Sequence, residues 1–306
     1  MKQEFYSNGK LLLTGEYAVL DGAKALALPT TFGQVLTVEP TKTNTLTWKS
    51  LDREGNIWFE MAIDLGSMNL DALINTEIAR TALKILIEAQ RLNADFLKNG
   101  RGCNITAQLT FPKDWGLGSS STLISNIAQW AKIDPYKLLQ NTFGGSGYDI
   151  ACAIHNTPIT YQLNNGIPMV EAVVFDPTFK NELFFVHLNK KQNSRDGIMQ
   201  YRKQTFNKKE LVSVIGNITT KIMSCSDLGT FESLLNLHES VISNTLGVPT
   251  IKEQLFSDYP RAIKSLGAWG GDFILAIGDE SSMAYFRQGG YETIIPYTEM
   301  ILKKKS

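Results

Sequence analysis

At 306 residues the chain is longer than a single compact core usually grows, which favours two domains sharing a cleft. With 43% hydrophobic and 20% charged residues it has enough apolar material for a buried core, which excludes a disordered chain. Its 30 lysines and arginines are balanced by 30 acids, so no basic stripe points to nucleic acid or an anionic membrane surface.

Cys103, Cys152 and Cys225 are odd in number and widely spaced, a pattern that makes neither a disulfide framework nor a zinc site. They are expected in or near the core as small apolar side chains. No apolar run approaches the ~20 residues of a membrane span, and Met1–Phe5 shows no secretory apolar region. The expected compartment is a reducing cytoplasm.

The first forty residues read as strand, turn, strand, with Lys10–Leu13 apolar and Gly15–Tyr17 and Leu20–Gly22 supplying turn chemistry. Gln34–Val38 alternates as a half-buried strand, and Leu46–Trp48 with Ile57–Phe59 predicts a hairpin. From Asp71 to Leu92 the period changes: Leu73, Ile74, Ala79, Ala82, Leu83, Leu86 and Ile87 recur at helical spacing. Asn104–Phe111 alternates as a strand, a glycine-serine loop follows, and a helix runs over about 120–132. Asp134-Pro135 caps another short helix.

Beyond Asp149 the pattern predicts strands at Ile159–Leu163 and Val170–Phe175, then a junction at Asp176-Pro177-Thr178. The second half opens on the strand Leu183–Leu188, followed by a polar loop holding Lys190, Lys191 and Arg195. Helices are predicted near 207–225 and 229–246, a glycine turn at 267–271, a strand at Phe273–Ile277, a helix at 281–288 and a strand near Glu292–Ile295. Without regular strand-helix alternation, the class is α+β.

The run Gly116-Leu117-Gly118-Ser119-Ser120-Ser121-Thr122 passes from strand to helix. Two glycines admit a ligand close to the backbone, and the following helix start offers unpaired N–H groups and a positive dipole end. Serine hydroxyls can meet phosphate oxygens or magnesium. The same residues also suit a plain helix cap after a tight turn. No Gly-Lys-Ser/Thr ends the run, so it is not a Walker A loop.

Gly-Leu-Gly-Ser-Ser after a proline resembles the hallmark of the GHMP kinases, the family of galactokinase, homoserine kinase, mevalonate kinase and phosphomevalonate kinase. Gly9–Leu20 is similar to that family's first motif and Lys264–Asp272 to its third, in the same order. Gly144–Ala153 resembles phosphomevalonate kinases more than mevalonate kinases, and Gly147–Ala151 spells the signature of the GYDIA subgroup. The resemblance implies an α+β fold with a ribosomal-protein-like N-terminal domain over 1–175, which binds ATP, and a ferredoxin-like C-terminal domain over 176–306.

It further implies an ATP-dependent kinase acting on a small metabolite such as mevalonate or phosphomevalonate, as monomer or homodimer, without nucleic acid or membrane; the alternatives are another enzyme of the family (a sugar or amino-alcohol kinase, or a diphosphomevalonate decarboxylase) and a catalytically weak ligand-binding or regulatory protein on the same fold. By the same resemblance Asp149 and Lys10 are catalytic, Asp149 as base or orienter and Lys10 as the cation beside it. Gly116, Leu117, Gly118, Ser119, Ser120, Ser121, Gly267, Gly270 and Gly271 bind ATP. Ser146, Gly147 and Lys264 contact the acceptor, and Glu16 either does so too or only pairs with a buried cation or caps the next turn. The pattern departs at Trp269, where the family prefers glycine, and between Ser119 and Asp149, where Asp134 is the sole acid. With no glutamate there, Mg2+ is expected on the phosphates, Ser119, Ser120 and water.

Overall fold

A computed structural model describes residues 1–65, 76–98, 100–192, 194–267, 269 and 271–303. The expected helical positions Leu73 and Ile74, and Gly270 of the third motif, lie outside them. The chain opens with strands β1 (Gln3–Thr14), β2 (Ala25–Pro40), β3 (Thr45–Leu51) and β4 (Ile57–Asp64). Helix α1 (Glu77–Leu92), strand β5 (Cys103–Leu109) and helices α2 (Ser119–Ala131), α3 (Pro135–Thr142) and α4 (Tyr148–Ile154) follow. Next come β6 (Ile159–Asn164), β7 (Ile167–Ala172), β8 (Leu183–His187), α5 (Ser194–Lys203), α6 (Lys208–Met223), α7 (Leu228–Leu246) and α8 (Ile251–Leu255). The last elements are β9 (Ile263–Ser265), β10 (Phe273–Ile277), α9 (Glu280–Gln288), β11 (Ile294–Pro296) and α10 (Tyr297–Met300). This is the expected α+β class.

Two compact units form. The first comprises 1–9, 32–113 and 117–154; the second comprises 10–31, 114–116 and 155–306. They interleave along the chain, whereas the expected domain boundary is a single cut after residue 175.

In the first unit β4, β3, β5 and the C-terminal half of β2 lie side by side. β3 runs parallel to β5, and the other pairs are antiparallel. Alternation along β3 and β5 turns Leu46, Trp48, Ile105 and Ala107 into a core shared with Leu83 and Leu86 of α1 and Ile124 and Ile127 of α2. The helical period read in the sequence is thus the buried stripe of α1, and its N-cap Thr76 accepts from Ala79 N at 3.3 Å. Asp134 caps α3 as expected, accepting from Tyr136 N at 2.8 Å.

The second unit holds a four-stranded antiparallel sheet in the order β11-β8-β10-β9. Central β8 and β10 are buried at every position, which explains their unbroken apolar runs. Phe184, Val186, Ile263 and Ile274 pack there with Ile251, Met283 and Phe286. In the same unit the N-terminal part of β2 pairs with β6, and β6 with β7.

Three expectations change. The strand read at 170–175 begins at Ile167 and stops at Ala172, because Asn165 and Gly166 both adopt left-handed φ (50° and 78°) and close a two-residue hairpin. The polar loop after Leu188 is only partly loop: Arg195 stands on α5, whose buried residue Tyr201 stacks on Tyr17 with centroids 5.5 Å apart. Among the cysteines, Cys103 and Cys152 are buried but Cys225 is only half-buried.

Candidate active site

The glycine-serine loop ends in the first unit. Gly118 is the N-cap of α2 with φ 89°, a left-handed conformation that suits glycine, and no side chain caps the helix. The Ser121 hydroxyl turns back to Gly118 O at 2.9 Å, and Thr122 N closes the first turn on the same carbonyl at 3.0 Å. Among the described residues the hydroxyls of Ser119 and Ser120 have no partner, and Ser120 is exposed. The first turn of a 13-residue helix therefore presents uncapped N–H groups, a positive dipole end and two free hydroxyls.

A buried polar ladder fixes α2 behind that end. Thr122 Oγ1 donates to Gln34 Oε1 at 3.1 Å, and Asn126 Nδ2 to Gln34 O at 2.9 Å. Ser7 Oγ lies 2.8 Å from both the Ser125 hydroxyl and Asn126 Oδ1. All five side chains are buried, so the ladder satisfies groups that would otherwise be costly to desolvate. Sequence reading missed it, because Ser, Asn and Gln at helical spacing carry no signal of pairing with distant strands.

Helix α4 packs against α2 and carries Asp149 in its first turn. Gly144, Gly145 and Gly147 precede it with φ of 71°, 106° and 86°, so the approach to the helix runs through conformations open to glycine. Gln140 Nε2 holds Gly145 O at 3.0 Å. Ser146 and Gly147 are buried, and Asp149 is half-buried. Burial first, then Cys152, Asp134 and Asp149, push the Tyr136 hydroxyl up to about 12.

In the second unit Gly116 has φ 65°, and a Cβ there would fall 2.3 Å from Asp272 Cγ. Asp272 itself takes a left-handed φ of 55°. Its backbone is tied at both ends: its N donates to Lys190 O and its O accepts from Leu188 N, each at 2.8 Å. Gln192 N donates to Oδ1 at 3.2 Å. Burial raises the Asp272 carboxyl; Lys10, the Gln192 N–H, Lys191 and His187 oppose the rise. The first motif's lysine and the third motif's aspartate therefore share one electrostatic neighbourhood. Gly267 sits beside it, a Cβ there meeting Asp272 Oδ2 at 3.5 Å, and one on Gly271 would overlap Gln192.

Glu16 and Lys264 also meet here, but in the interior, with 1% and 0% of their surface exposed. Lys264 Nζ lies 2.5 Å from Glu16 Oε1 and 3.1 Å from Glu239 Oε1. Ser265 Oγ donates to Glu239 Oε2 at 2.8 Å, and Gly15 N donates to His238 Nε2 at 3.0 Å. Burial pushes the Glu16 carboxyl up to about 7 despite Lys264. Burial disfavours charge on Lys264, but Glu16 and Glu239 more than offset it and its pKa rises. Burial and the Lys264 charge hold His238 well below the usual imidazole range.

No protein-family model and no curated protein matches the chain. Solved structures do. Mevalonate kinase of Methanococcus jannaschii superposes with a TM-score of 0.74 at 14% identity, covering 99% of each chain. Phosphomevalonate kinase of Streptococcus pneumoniae, in complex with phosphomevalonate and AMPPNP, gives 0.68 at 16% over 99% of this chain and 98% of that one. Galactokinase of Lactococcus lactis, with galactose, gives 0.64 at 14% over 94% and 88%. The fold is that of the GHMP kinases.

On this GHMP fold the expected residues separate by role. Gly118, Ser119, Ser120 and Ser121 form the open end of α2, Asp149 and Ser146 stand at the helix packed on it, and Lys10, Gly116, Gly267 and Gly271 surround Asp272. Glu16 and Lys264, expected against the acceptor, are withdrawn into the interior where they bond each other. Asp272, quoted in the third motif, was not among the expected site residues. Its signal was the unusual acid closing a glycine run. His238 and Glu239 gave no local signal at all.

Proposed function

We propose that this chain is an ATP-dependent small-molecule kinase that transfers the γ-phosphoryl group of magnesium-ATP to a hydroxyl or phosphate of a small metabolite, with mevalonate and phosphomevalonate the first acceptors to test. One observation carries the reading: the first turn of α2 has a left-handed glycine as its N-cap, no side-chain cap and two unpartnered serine hydroxyls. Such a helix end suits an anionic phosphate chain. GHMP-fold neighbours that bind AMPPNP, phosphomevalonate or galactose support the substrate class.

In this reading the N–H groups of Gly118–Ser121 hold the phosphates, Gly116, Leu117, Gly267, Gly270 and Gly271 let the backbone approach them, and residues 1–175 form the nucleotide-binding half. The donor set fits magnesium, a hard cation that keeps several waters and needs few protein oxygens: the Ser119 and Ser120 hydroxyls would complete a shell otherwise made by phosphates and water. The ion would neutralise charge on the phosphoryl oxygens. Asp149 accepts or orients the proton of the acceptor hydroxyl, and Lys10 supplies positive charge, the demands of a reaction that is mostly positioning and electrostatics. Ser146 and Gly147, buried beside Asp149, orient the acceptor. Glu16 and Lys264 support the site from the interior.

The test is a coupled assay of ADP release with magnesium-ATP and mevalonate, phosphomevalonate, homoserine or a hexose, run beside Asp149→Asn. Turnover on one acceptor that disappears in the variant supports the kinase. Tight nucleotide binding without turnover on any acceptor sinks it.

A further inference from the structure

Asp272 is only 7% exposed, yet it forms no ion pair among the described residues. Its Oδ1 accepts from Gln192 N at 3.2 Å, while its Oδ2 accepts no hydrogen bond and still touches solvent. The backbone holds the side chain in place, tied at its N to Lys190 O and at its O to Leu188 N. The free oxygen has a definite direction. Oδ2 lies 2.3 Å from where a Cβ on Gly116 would stand and 3.5 Å from one on Gly267. It therefore points into space that stays clear because the second and third motifs carry no side chains there.

A turn alone does not call for this acid. Asparagine adopts a left-handed φ as readily and would accept the Gln192 N–H without burying a charge. Gly116 stands two residues before Gly118, the N-cap of α2, and two residues of chain reach no further than ~7 Å. On the kinase reading this is where the backbone approaches the phosphates. A carboxylate directed at an anionic tail repels it unless a cation lies between. Lys10, Lys191 and His187 face the carboxyl, and burial still outweighs them, so its charge remains under-compensated. Magnesium on a nucleotide suits that position, since it takes one or two carboxylate oxygens beside phosphate oxygens and water.

We propose that Asp272 Oδ2 is a direct ligand of the magnesium ion carried by the nucleotide's phosphates. It takes one of the positions otherwise left to water and gives the ion a charged protein ligand, which a serine hydroxyl is not. The same carboxylate then selects among nucleotides: it attracts one that brings its metal and repels one that arrives without it. This assignment rests on the kinase reading above.

The experiment uses the full chain and AMPPNP, with no acceptor and no turnover. Calorimetry compares wild type with Asp272→Asn, once in excess magnesium and once in EDTA. Asparagine keeps the turn and the acceptor for Gln192 N but removes the charge. In magnesium the variant's Kd is expected to rise by about tenfold, the usual weight of one contact to a charged group. In EDTA its Kd should stay level or fall, because the lost charge repelled the phosphates. Equal weakening in both conditions would make Asp272 a partner of Lys10, and no change in either would make it a turn residue. Both results overturn the proposal.

A second readout covers the case in which Asp272→Asn does not fold. Protein labelled with 13C at its aspartate carboxyls is loaded with Mn2+ and AMPPNP, and electron-nuclear double resonance is recorded. The strong 13C coupling of a bound carboxylate should be present in wild type and should survive Asp149→Asn. Its absence from wild type, or its loss in Asp149→Asn, overturns the proposal. AMPPNP that binds neither with metal nor without it sinks the kinase reading and this assignment together, whereas AMPPNP binding that ignores Asp272 sinks the assignment alone.

Discussion

The Asp272 carboxyl carbon lies 2.3 Å from the point where a side chain on Gly116 would begin. Glycine is required there twice over, by that contact and by its φ of 65°. Gly116→Ala is expected to cost roughly 1–2 kcal/mol for the left-handed backbone and about 1–3 kcal/mol for overpacking. Adding Asp272→Gly removes the steric part, so the double variant should be more stable than Gly116→Ala alone. Urea denaturation of the four proteins measures the coupling. Additive effects would mean that the two residues do not touch.

If the free hydroxyls of α2 meet phosphates or magnesium, deleting them weakens nucleotide binding without unfolding the helix. Ser119→Ala and Ser120→Ala should each raise the KM for ATP by about tenfold, since a hydrogen bond to a charged group contributes roughly 1.5–3 kcal/mol. Their melting temperatures should match the wild type. Asp149→Asn should behave in the opposite way, losing about 10²–10⁴-fold in kcat with little change in ATP affinity, as removal of a general base does. Initial-rate kinetics at varied ATP and acceptor separate the two patterns.

Local backbone chemistry was legible in the sequence and long-range polar chemistry was not. Gly116–Thr122, Gly144–Gly147 and the apolar stripe of α1 announce themselves within a dozen residues, because positive φ and helical period are properties of short segments. Lys264 and Glu16 are 248 residues apart, and a lone lysine beside a glycine motif reads as a ligand contact until its partners are seen. Helix α5 was hidden for a related reason. Its sequence SRDGIMQYRK has only Ile198, Met199 and Tyr201 as large apolar side chains, and its anchor is Tyr201, which stacks on Tyr17 and donates to Asp21 at 2.6 Å.

The cysteines give a check on burial that needs no activity. Burial pushes the Cys103 thiol up to about 11, so at pH 8 it is a buried, protonated thiol. Cys225 is half-buried, its Sγ only 3.1 Å from Asp227 O. Iodoacetamide at pH 8 should label Cys225 alone in the native protein, and all three cysteines in urea. Peptide mass spectrometry reads the order, and early labelling of Cys103 would contradict the packing of β5.

Lys264 separates support from substrate contact. It is the only cation paired with Glu16 and Glu239 among the described residues, and none of the three can reach solvent. Lys264→Met strips Glu16 and Glu239 of their shared cation in the interior, at an expected cost of about 3–5 kcal/mol. If the fault is the stranded charge, neutralising the acids repairs it: Lys264→Met combined with Glu16→Gln and Glu239→Gln should regain most of the lost stability. The pH dependence discriminates further. A carboxyl raised to about 7 from its ordinary value of 4.5 stabilises the fold fully below the lower value and loses that contribution as pH rises through the higher one. Wild-type stability should therefore decline from pH 4.5 towards 7 by the part due to Glu16, and the triple variant should lack that decline. A Lys264→Met protein as stable as wild type, impaired only in acceptor KM, would instead return Lys264 to the surface of the site.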